Sequence, residues 1–266
     1  MFLTLIKGLI IAVVCLVVLA ILVALYLKKE GDREFAKYDA YTKEVLAGYE
    51  NLIPFEVKPE FKKLHPGKFP FMKLFKLVVS SEEGSRLKRV NSIDATMLLF
   101  MRMYTFLIRP DYKYNLPVLS VDFIFIGKKR VFVMEIIDPA KIEDENKKKY
   151  YEIMRSRVPE IDDLEKGPER DWYKDYVTDF SIHAKADNSK DDLMFDIYKT
   201  YLKAYLDMAK NAEELTPEMS EKVKQGLEEY VATLLSKGGP AVEVFEKMLG
   251  KEGQEEYVRT VMFGLE

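Results

Sequence analysis

The chain has 266 residues, 48% of them hydrophobic and 32% charged, with a formal net charge of −3. These values fit one globular domain of ordinary size with an appendage, and an acidic chain argues against nucleic acid as a partner. The single cysteine, Cys15, excludes disulfides, and two histidines far apart in sequence, His65 and His183, argue against a zinc or iron–sulfur site. The common glycine-rich nucleotide-binding motifs are absent from the sequence.

Residues 8–27 (GLIIAVVCLVVLAILVALYL) form a run of 20 residues without a charge. As a helix, this run is long enough to cross a hydrocarbon core about 30 Å thick. A cleaved signal peptide is the alternative, but its apolar core usually has about 7 to 15 residues and ends at a small-x-small site. We therefore predict one transmembrane anchor and a single-pass membrane protein. A slight excess of Lys and Arg after the run favours the cytoplasm for the main domain.

Three regions follow from this organisation: the anchor over residues 1–30, a helix and connector over 31–70, and the main domain over 71–266. The helix is predicted over Glu34–Asn51, and four prolines indicate an extended connector over Pro54–Pro70. The main domain is predicted to begin with strands over Met72–Ser80, Arg86–Asn91, Thr96–Arg109, Leu116–Ile126, Arg130–Ile137 and Tyr176–Ala184. Helices are then predicted over Asp191–Asn211, Pro217–Ser236, Pro240–Leu249 and Glu252–Phe263.

Strands followed by helices indicate an α+β domain with an antiparallel sheet. The strand Leu116–Ile126 is apolar on both faces, so helices should cover both. The expected fold is a three-layer α/β/α sandwich with a central antiparallel sheet, preceded by one transmembrane helix.

Positive charge is concentrated in the segment Glu56–Asn91, which contains nine Lys and Arg against four Glu. A solvated surface is the ordinary explanation of such a run. The functional alternative is a patch for an acidic partner, an anionic ligand or lipid headgroups.

Asp122 stands in the middle of an otherwise apolar strand, in NLPVLSVDFIFIG (Asn115–Gly127). Burying an unpaired carboxylate costs several kcal/mol or forces it to take up a proton. The structural alternative is a carboxylate bonded to the backbone or to an arginine such as Arg102 or Arg109.

A tight hairpin at Gly127-Lys128-Lys129 suggests which residue faces Asp122. If Ile126 pairs with Val131, then Asp122 pairs with Glu135 on the same face. Neighbouring carboxylates raise the pKa of one of them, which is what a general acid needs. A slip of one residue would place Glu135 on the other face.

The run RPDYKYNLPVLSVDF (Arg109–Phe123) resembles the segment of the ferredoxin-dependent bilin reductases that ends in their proton-donating aspartate. Three further segments are similar to the same family in the same order: Asp138-Pro139 after the next strand, WYKDYVTDFS (Trp172–Ser181), and VFEKMLGKEGQEEYVRTVMFG (Val244–Gly264). The resemblance runs from about Val78 to the C-terminus.

This resemblance implies that a linear tetrapyrrole, biliverdin or a related bilin, binds between the sheet and the C-terminal helices. Electrons would arrive singly from reduced ferredoxin, with no bound cofactor. Asp122 carries over as the proton donor, and Glu135 is a candidate second acid. The basic segment would suit both ferredoxin and the bilin propionates. The candidate substrate-binding residues are Arg86, Lys88, Arg89, Asn91, Tyr104, Thr105 and Trp172.

The sequence also departs from the family. Thr105 stands where some members have a catalytic histidine, and two further acids of the family fall near Ile93 and at Gly238-Gly239. The bond that is reduced therefore stays open, and so do two other functions: a tetrapyrrole carrier without chemistry, and a membrane-tethered structural domain. Trp172 is equally explained by packing, and His183 is predicted to be a satisfied or exposed histidine of the last strand.

Overall fold

The computed structural model of the chain describes residues 2–64, 76–97, 100–167 and 169–265. The start of the predicted strand Met72–Ser80, and Lys68 and Lys73 of the basic segment, lie outside these ranges. Within them the protein is α+β, with nine strands in one antiparallel sheet. The predicted α+β class with a central antiparallel sheet is confirmed, whereas several predicted boundaries are not.

The strands of the described residues are β1 (Ile53–Pro54), β2 (Lys63–Leu64), β3 (Lys76–Glu83), β4 (Arg89–Met97), β5 (Met101–Arg109), β6 (Val118–Ile126), β7 (Lys129–Ile137), β8 (Glu165–Lys166) and β9 (Ile182–Asp187). They lie in the order β1-β3-β4-β5-β6-β7-β9-β8, and β2 also pairs with β3. The five long strands from β3 to β7 form consecutive antiparallel pairs.

Four predicted segments need correction. The predicted strand Arg86–Asn91 is shifted, because β4 runs over Arg89–Met97. The single strand Thr96–Arg109 is wrong, because β4 ends at Met97 and β5 begins at Met101. The predicted strand Tyr176–Ala184 begins six residues later, at Ile182. The connector contains β1, β2 and the short helix α2 (Pro59–Lys62), so it is not simply extended.

One uninterrupted helix, α1 (Phe2–Tyr49), contains both the predicted anchor and the predicted helix Glu34–Asn51. It runs through the predicted boundary at residue 30. Its second half packs on the sheet, where Tyr38 and Leu46 are buried. A glycine allows the close approach to β5, because a Cβ at Gly31 would lie 2.8 Å from Cγ of Arg102.

The remaining helices are α3 (Glu145–Arg155), α4 (Asp191–Asn211), α5 (Pro217–Lys237) and α6 (Pro240–Glu256), followed by a π-helix over Tyr257–Met262. Asp144 caps α3 and Thr216 caps α5, each through a side-chain oxygen that accepts from a backbone N–H. Gly250 adopts φ = 73° inside α6 and breaks it, close to the predicted division between the last two helices.

Two hydrophobic clusters lie on opposite faces of the sheet. Helices α1 and α4 pack on one face against the aromatic side chains of β5, β6 and β7. Helix α5, helix α6 and the π-helix pack on the other face, near the ends of the strands. We call the second face the Asp122 face, because the Asp122 side chain belongs to it by alternation along β6. The sandwich therefore has the three expected layers.

The register of the β6–β7 hairpin differs from the prediction. Ile126 pairs with Lys129, and Gly127 takes φ = 57° in a turn of two residues, whereas the predicted pairing of Ile126 with Val131 leaves four residues between the partners. Asp122 consequently pairs with Val133, so the predicted pairing of Asp122 with Glu135 is wrong by two residues. Because side chains alternate with a period of two, this shift keeps Glu135 on the Asp122 face.

Candidate active site

A row of paired residues crosses the middle of the Asp122 face. Thr105 of β5 pairs with Asp122 of β6, which pairs with Val133 of β7, which pairs with His183 of β9. Side chains that are paired across an antiparallel sheet point to the same face. The fold thus brings Asp122, Thr105 and His183 into one line from three strands that are distant in sequence.

Asp122 accepts a hydrogen bond from Thr105, with 2.5 Å between Oγ1 and Oδ1. Burial raises the pKa of the Asp122 carboxyl to about 7, the Thr105 hydroxyl opposes this, and the negative charge of Glu135 adds to it. The two arginines considered as partners are engaged elsewhere: Arg102 with Asp94 and Asp32, and Arg109 with the carbonyl oxygens of Phe263 and Gly264. Asp122 therefore changes its protonation state close to neutral pH, as a proton donor must.

Glu135 lies on the next row, where it pairs with Ser120, and only 7% of its surface is exposed. Nε2 of His183 is 3.1 Å from Oε1 of Glu135. From the helical side, the charges of Glu135 and Asp122 reinforce the effect of burial in raising the pKa values of Tyr173 and Tyr230. Two carboxyl groups, an imidazole and two phenols are thus close enough to influence one another.

The Asp122 face is incompletely covered at this level. On the opposite face, Tyr104, Phe123 and Phe132 are at most 1% exposed. On the Asp122 face, the corresponding side chains of the same strands are only half-buried: Met103, Thr105, Asp122, Ile124, Val131 and Val133. The protein therefore presents a mainly apolar surface beside Asp122, which suits a flat, largely apolar ligand.

Trp172 and Asn91 border this surface. The indole of Trp172 lies 4.1 Å from the ring of Tyr173, and its buried Nε1 has no acceptor among the described residues. Asn91 donates to the carbonyl of Met262, whereas its buried Oδ1 has no donor within the same ranges. A polar atom buried without a partner is uncommon and is consistent with a ligand contact.

The predicted propionate-binding residues are spread over different places. Arg89 is on the Asp122 face, at the end of β4, and lies 3.4 Å from Glu83. Lys88 is on the surface, 3.9 Å from the same glutamate. Arg86 donates to the carbonyls of Ala209 and Ala212 on the α4 side, so it is not brought to Asp122.

Tyr104 is also absent from the candidate site, because it points to the opposite face. Its hydroxyl lies 2.6 Å from that of Thr42 and 3.1 Å from that of Tyr198, in the core beneath α1 and α4. The sequence did not identify Tyr173 and Tyr230, and it assigned no role to His183. Alternation along the last strand predicts which face His183 points to only when the strand that pairs with it is known.

Among the described residues, no three His, Cys, Asp or Glu side chains form a group that could hold a metal ion.

Comparisons with known proteins concern the family and the fold of the chain. The family described as ferredoxin-dependent bilin reductase matches residues 44–264. The chain is similar to phycoerythrobilin:ferredoxin oxidoreductase of Prochlorococcus marinus (strain MIT 9303), with 25% identity over 60% of this chain and 65% of that protein. It is also similar to the enzyme of the same name from Synechococcus sp. (strain RCC307), with 23% identity over 81% of this chain and 86% of that protein.

A third relative is 15,16-dihydrobiliverdin:ferredoxin oxidoreductase of Nostoc punctiforme, with 22% identity over 61% of this chain and 68% of that protein. The alignments with the Prochlorococcus marinus and Nostoc punctiforme enzymes thus span about two thirds of the lengths of those proteins. Among solved structures, tomato phytochromobilin synthase in complex with biliverdin has the same fold, with a TM-score of 0.73 and 16% identity over 86% of this chain and 83% of that one. The family match covers most of the sequence, and the chain belongs to the ferredoxin-dependent bilin reductase family.

Proposed function

We propose that the protein reduces biliverdin or a related linear tetrapyrrole with electrons from ferredoxin, and that Asp122 gives the proton. The observation that carries this proposal is a carboxyl group with a raised pKa of about 7, placed in the middle of an open apolar surface. Membership of the family supports the substrate class and the electron donor.

In the proposed reaction, two electrons and two protons add across one double bond of the tetrapyrrole. Two reduced ferredoxins supply one electron each, so each becomes oxidised once. Asp122 donates from its neutral form, and the carboxylate that remains is stabilised by the hydrogen bond from Thr105. The partial exposure of Asp122 allows it to touch a ligand on the sheet.

Binding would use the groups that border the open surface. The unpartnered Nε1 of Trp172 and Oδ1 of Asn91 are available to a polar edge of the tetrapyrrole. Arg89, at the end of β4, is the propionate candidate that lies on the same face as Asp122. Lys88 and Arg86 are the other two candidates predicted from the sequence, but Arg86 is held by carbonyl groups at the end of α4.

We propose further that the N-terminal half of α1 anchors the protein in a membrane with the main domain in the cytoplasm. It is the one helix in the described residues that is long and apolar enough to cross a bilayer, with a mean hydropathy of 3.4 over its best window. None of that window is buried against the rest of the protein, so about 20 apolar residues have no other cover.

The experiment that tests the proposal uses anaerobic absorption spectroscopy of the full chain in detergent micelles. Biliverdin is added first, and reduced ferredoxin second. We expect a shifted biliverdin spectrum that evolves to a product, and in Asp122→Asn we expect the same shift with turnover lowered about 100-fold or more. Wild-type turnover retained in that variant would refute the role of Asp122.

The same measurement separates the alternatives. A spectrum that shifts and then stays fixed in the wild-type protein would identify a tetrapyrrole carrier, a function to which the replacement of the family histidine by Thr105 lends some weight. A spectrum that never shifts would leave a membrane-tethered structural domain with the fold of the family.

A further inference from the structure

We propose that Glu135 and His183 relay protons to Asp122 from a cleft at the β9 edge of the sheet. This inference deepens the proposed function and rests on it. It concerns a need that Asp122 alone does not meet, since one carboxyl holds one proton and the proposed reaction consumes two.

The first observation is the placement of the three groups. Asp122 and His183 occupy the same row, separated by Val133, and Glu135 lies on the next row of the same face. Nε2 of His183 is 3.1 Å from Oε1 of Glu135. The order across the face is therefore Asp122, Glu135, His183, from the middle of the sheet towards its edge.

The second observation is that His183 is buried without satisfied hydrogen bonds. Its side chain is 9% exposed, and neither ring nitrogen makes a hydrogen bond of good geometry within the described part of the chain. A buried polar group normally has such partners, so a structural histidine would be expected to show them. An imidazole that exchanges protons has a reason to stay uncommitted, because it accepts a proton at one nitrogen and releases one from the other.

The third observation is a cleft of about 570 Å³ that reaches His183 from the outside. It lies where the short edge strand β8 leaves β9, and it is lined by Val158, Leu164, Lys166, Thr178, Ser181 and His183. Charged residues such as Asp162 and Glu169 also line it and are exposed, so water fills it. Water in this cleft is the proton source of the proposed relay.

Each step of the relay moves one proton and no electrons. After Asp122 has protonated the tetrapyrrole, one proton passes inward: from the water of the cleft to His183, from His183 to the Glu135 carboxylate, and from Glu135 to the Asp122 carboxylate. The cycle returns all three groups to their starting states. Val133 separates His183 from Asp122 on the row, so the proposed route passes through Glu135, whose charge acts on Asp122.

The test resolves the two protons in time, in the full chain bound to biliverdin in detergent micelles. Reduced ferredoxin is added in two separate equivalents at a pH at which Asp122 begins protonated. In His183→Gln we expect the spectral change after the first equivalent at the wild-type rate and the change after the second slowed tenfold or more. Added imidazole should restore the second step in His183→Ala, because the neighbouring cleft admits it.

Glu165→Gln is the matched control for Glu135→Gln. Glu165 is an exposed glutamate of β8 at the same edge, 2.7 Å from Lys185, and its loss should leave both steps unchanged. Glu135→Gln should slow the second step as His183→Gln does. Circular dichroism and the Kd for biliverdin confirm that each variant folds and binds.

Two results would overturn the relay alone: wild-type rates for both steps in His183→Gln, or an equal loss of both steps together with weaker biliverdin binding, which indicates a structural role. Failure of the wild-type protein to reduce bound biliverdin would refute the proposed function, and the relay would fall with it. The two failures are distinguished because the first is seen only in the variants.

Discussion

Replacing Asp122 by asparagine should stabilise the protein at alkaline pH while it removes activity. The folded carboxyl holds its proton up to about pH 7, whereas an unfolded aspartate loses it near its ordinary pKa of 3.8. Between these values the folded state binds more protons than the unfolded state, so the free energy of unfolding falls as the pH rises. Above pH 7 the folded carboxyl is also ionised, and its titration lowers the free energy of unfolding no further.

The magnitude follows from the size of that window. Each pH unit is worth about 1.4 kcal/mol, so the two units from pH 5 to pH 7 correspond to about 2.7 kcal/mol. Asparagine does not ionise and keeps a similar shape, so the stability of Asp122→Asn relative to wild type should rise by nearly this amount between pH 5 and pH 8. Partial exposure of Asp122 makes the figure an upper value.

Thermal unfolding of the full chain in detergent, followed by circular dichroism at pH 5 and pH 8, measures this difference. Asp163, an exposed aspartate 3.0 Å from Lys190, provides the matched control Asp163→Asn, for which little change with pH is expected. A stability difference between Asp122→Asn and wild type that does not depend on pH would refute the assignment of Asp122 as a carboxyl that is neutral in the folded state below pH 7.

Two further predictions concern Thr105 and Gly31. Thr105→Val removes the hydrogen bond to the ionised form of Asp122, so the pKa of Asp122 should rise. Turnover measured against pH should then fall at a pH roughly one unit higher than in the wild type, where it falls at about pH 7. A fall at the same pH or at a lower pH would contradict this. Gly31→Leu should lower the free energy of unfolding by about 1–3 kcal/mol, because its Cβ would meet Arg102. Gly8→Leu is the control and should leave the free energy of unfolding unchanged, because no atom lies within 4 Å of the added Cβ. Denaturant unfolding of both variants measures the difference.

The helices α4 and α5 were predictable because their ends carry local signals. Asp191–Asn211 agrees with the structure at both ends, and α5 ends one residue beyond its predicted end. Proline at the first position and a capping threonine mark the start of α5. Such signals depend on a few neighbouring residues, so tertiary contacts do not change them.

The division between β4 and β5 was not predictable in the same way. The residues that separate them belong to MLLFM, Met97–Met101, which is as apolar as the strands and contains neither Gly nor Pro. Periodicity therefore continued through the turn, and one long strand was predicted. The hairpin after β6 was recognised by Gly127, but the number of turn residues, on which the register depends, was not.

The residues of the candidate site were also predictable only where a local signal in the sequence marks them. Asp122 could be found because a carboxylate in an apolar strand is a local anomaly. His183 could not, because its position depends on β9 pairing with β7, a contact made across about 45 residues of intervening chain. Trp172 was predicted from a resemblance, whereas its neighbour Tyr173 was missed for want of any local signal.

The two faces of the sheet separate the proposed anchor from the proposed active site. Tyr38 of α1 packs against Phe123, with 4.9 Å between the ring centroids, so the helix that leaves the proposed membrane covers the face opposite to Asp122. Adjacent residues of a strand point to opposite faces, and Phe123 and Asp122 are adjacent. The proposed anchor therefore joins the domain through the closed face and leaves the open face to the proposed ligand. Because α1 is one continuous helix, attachment requires no flexible linker, and the open surface keeps a fixed orientation relative to the proposed membrane.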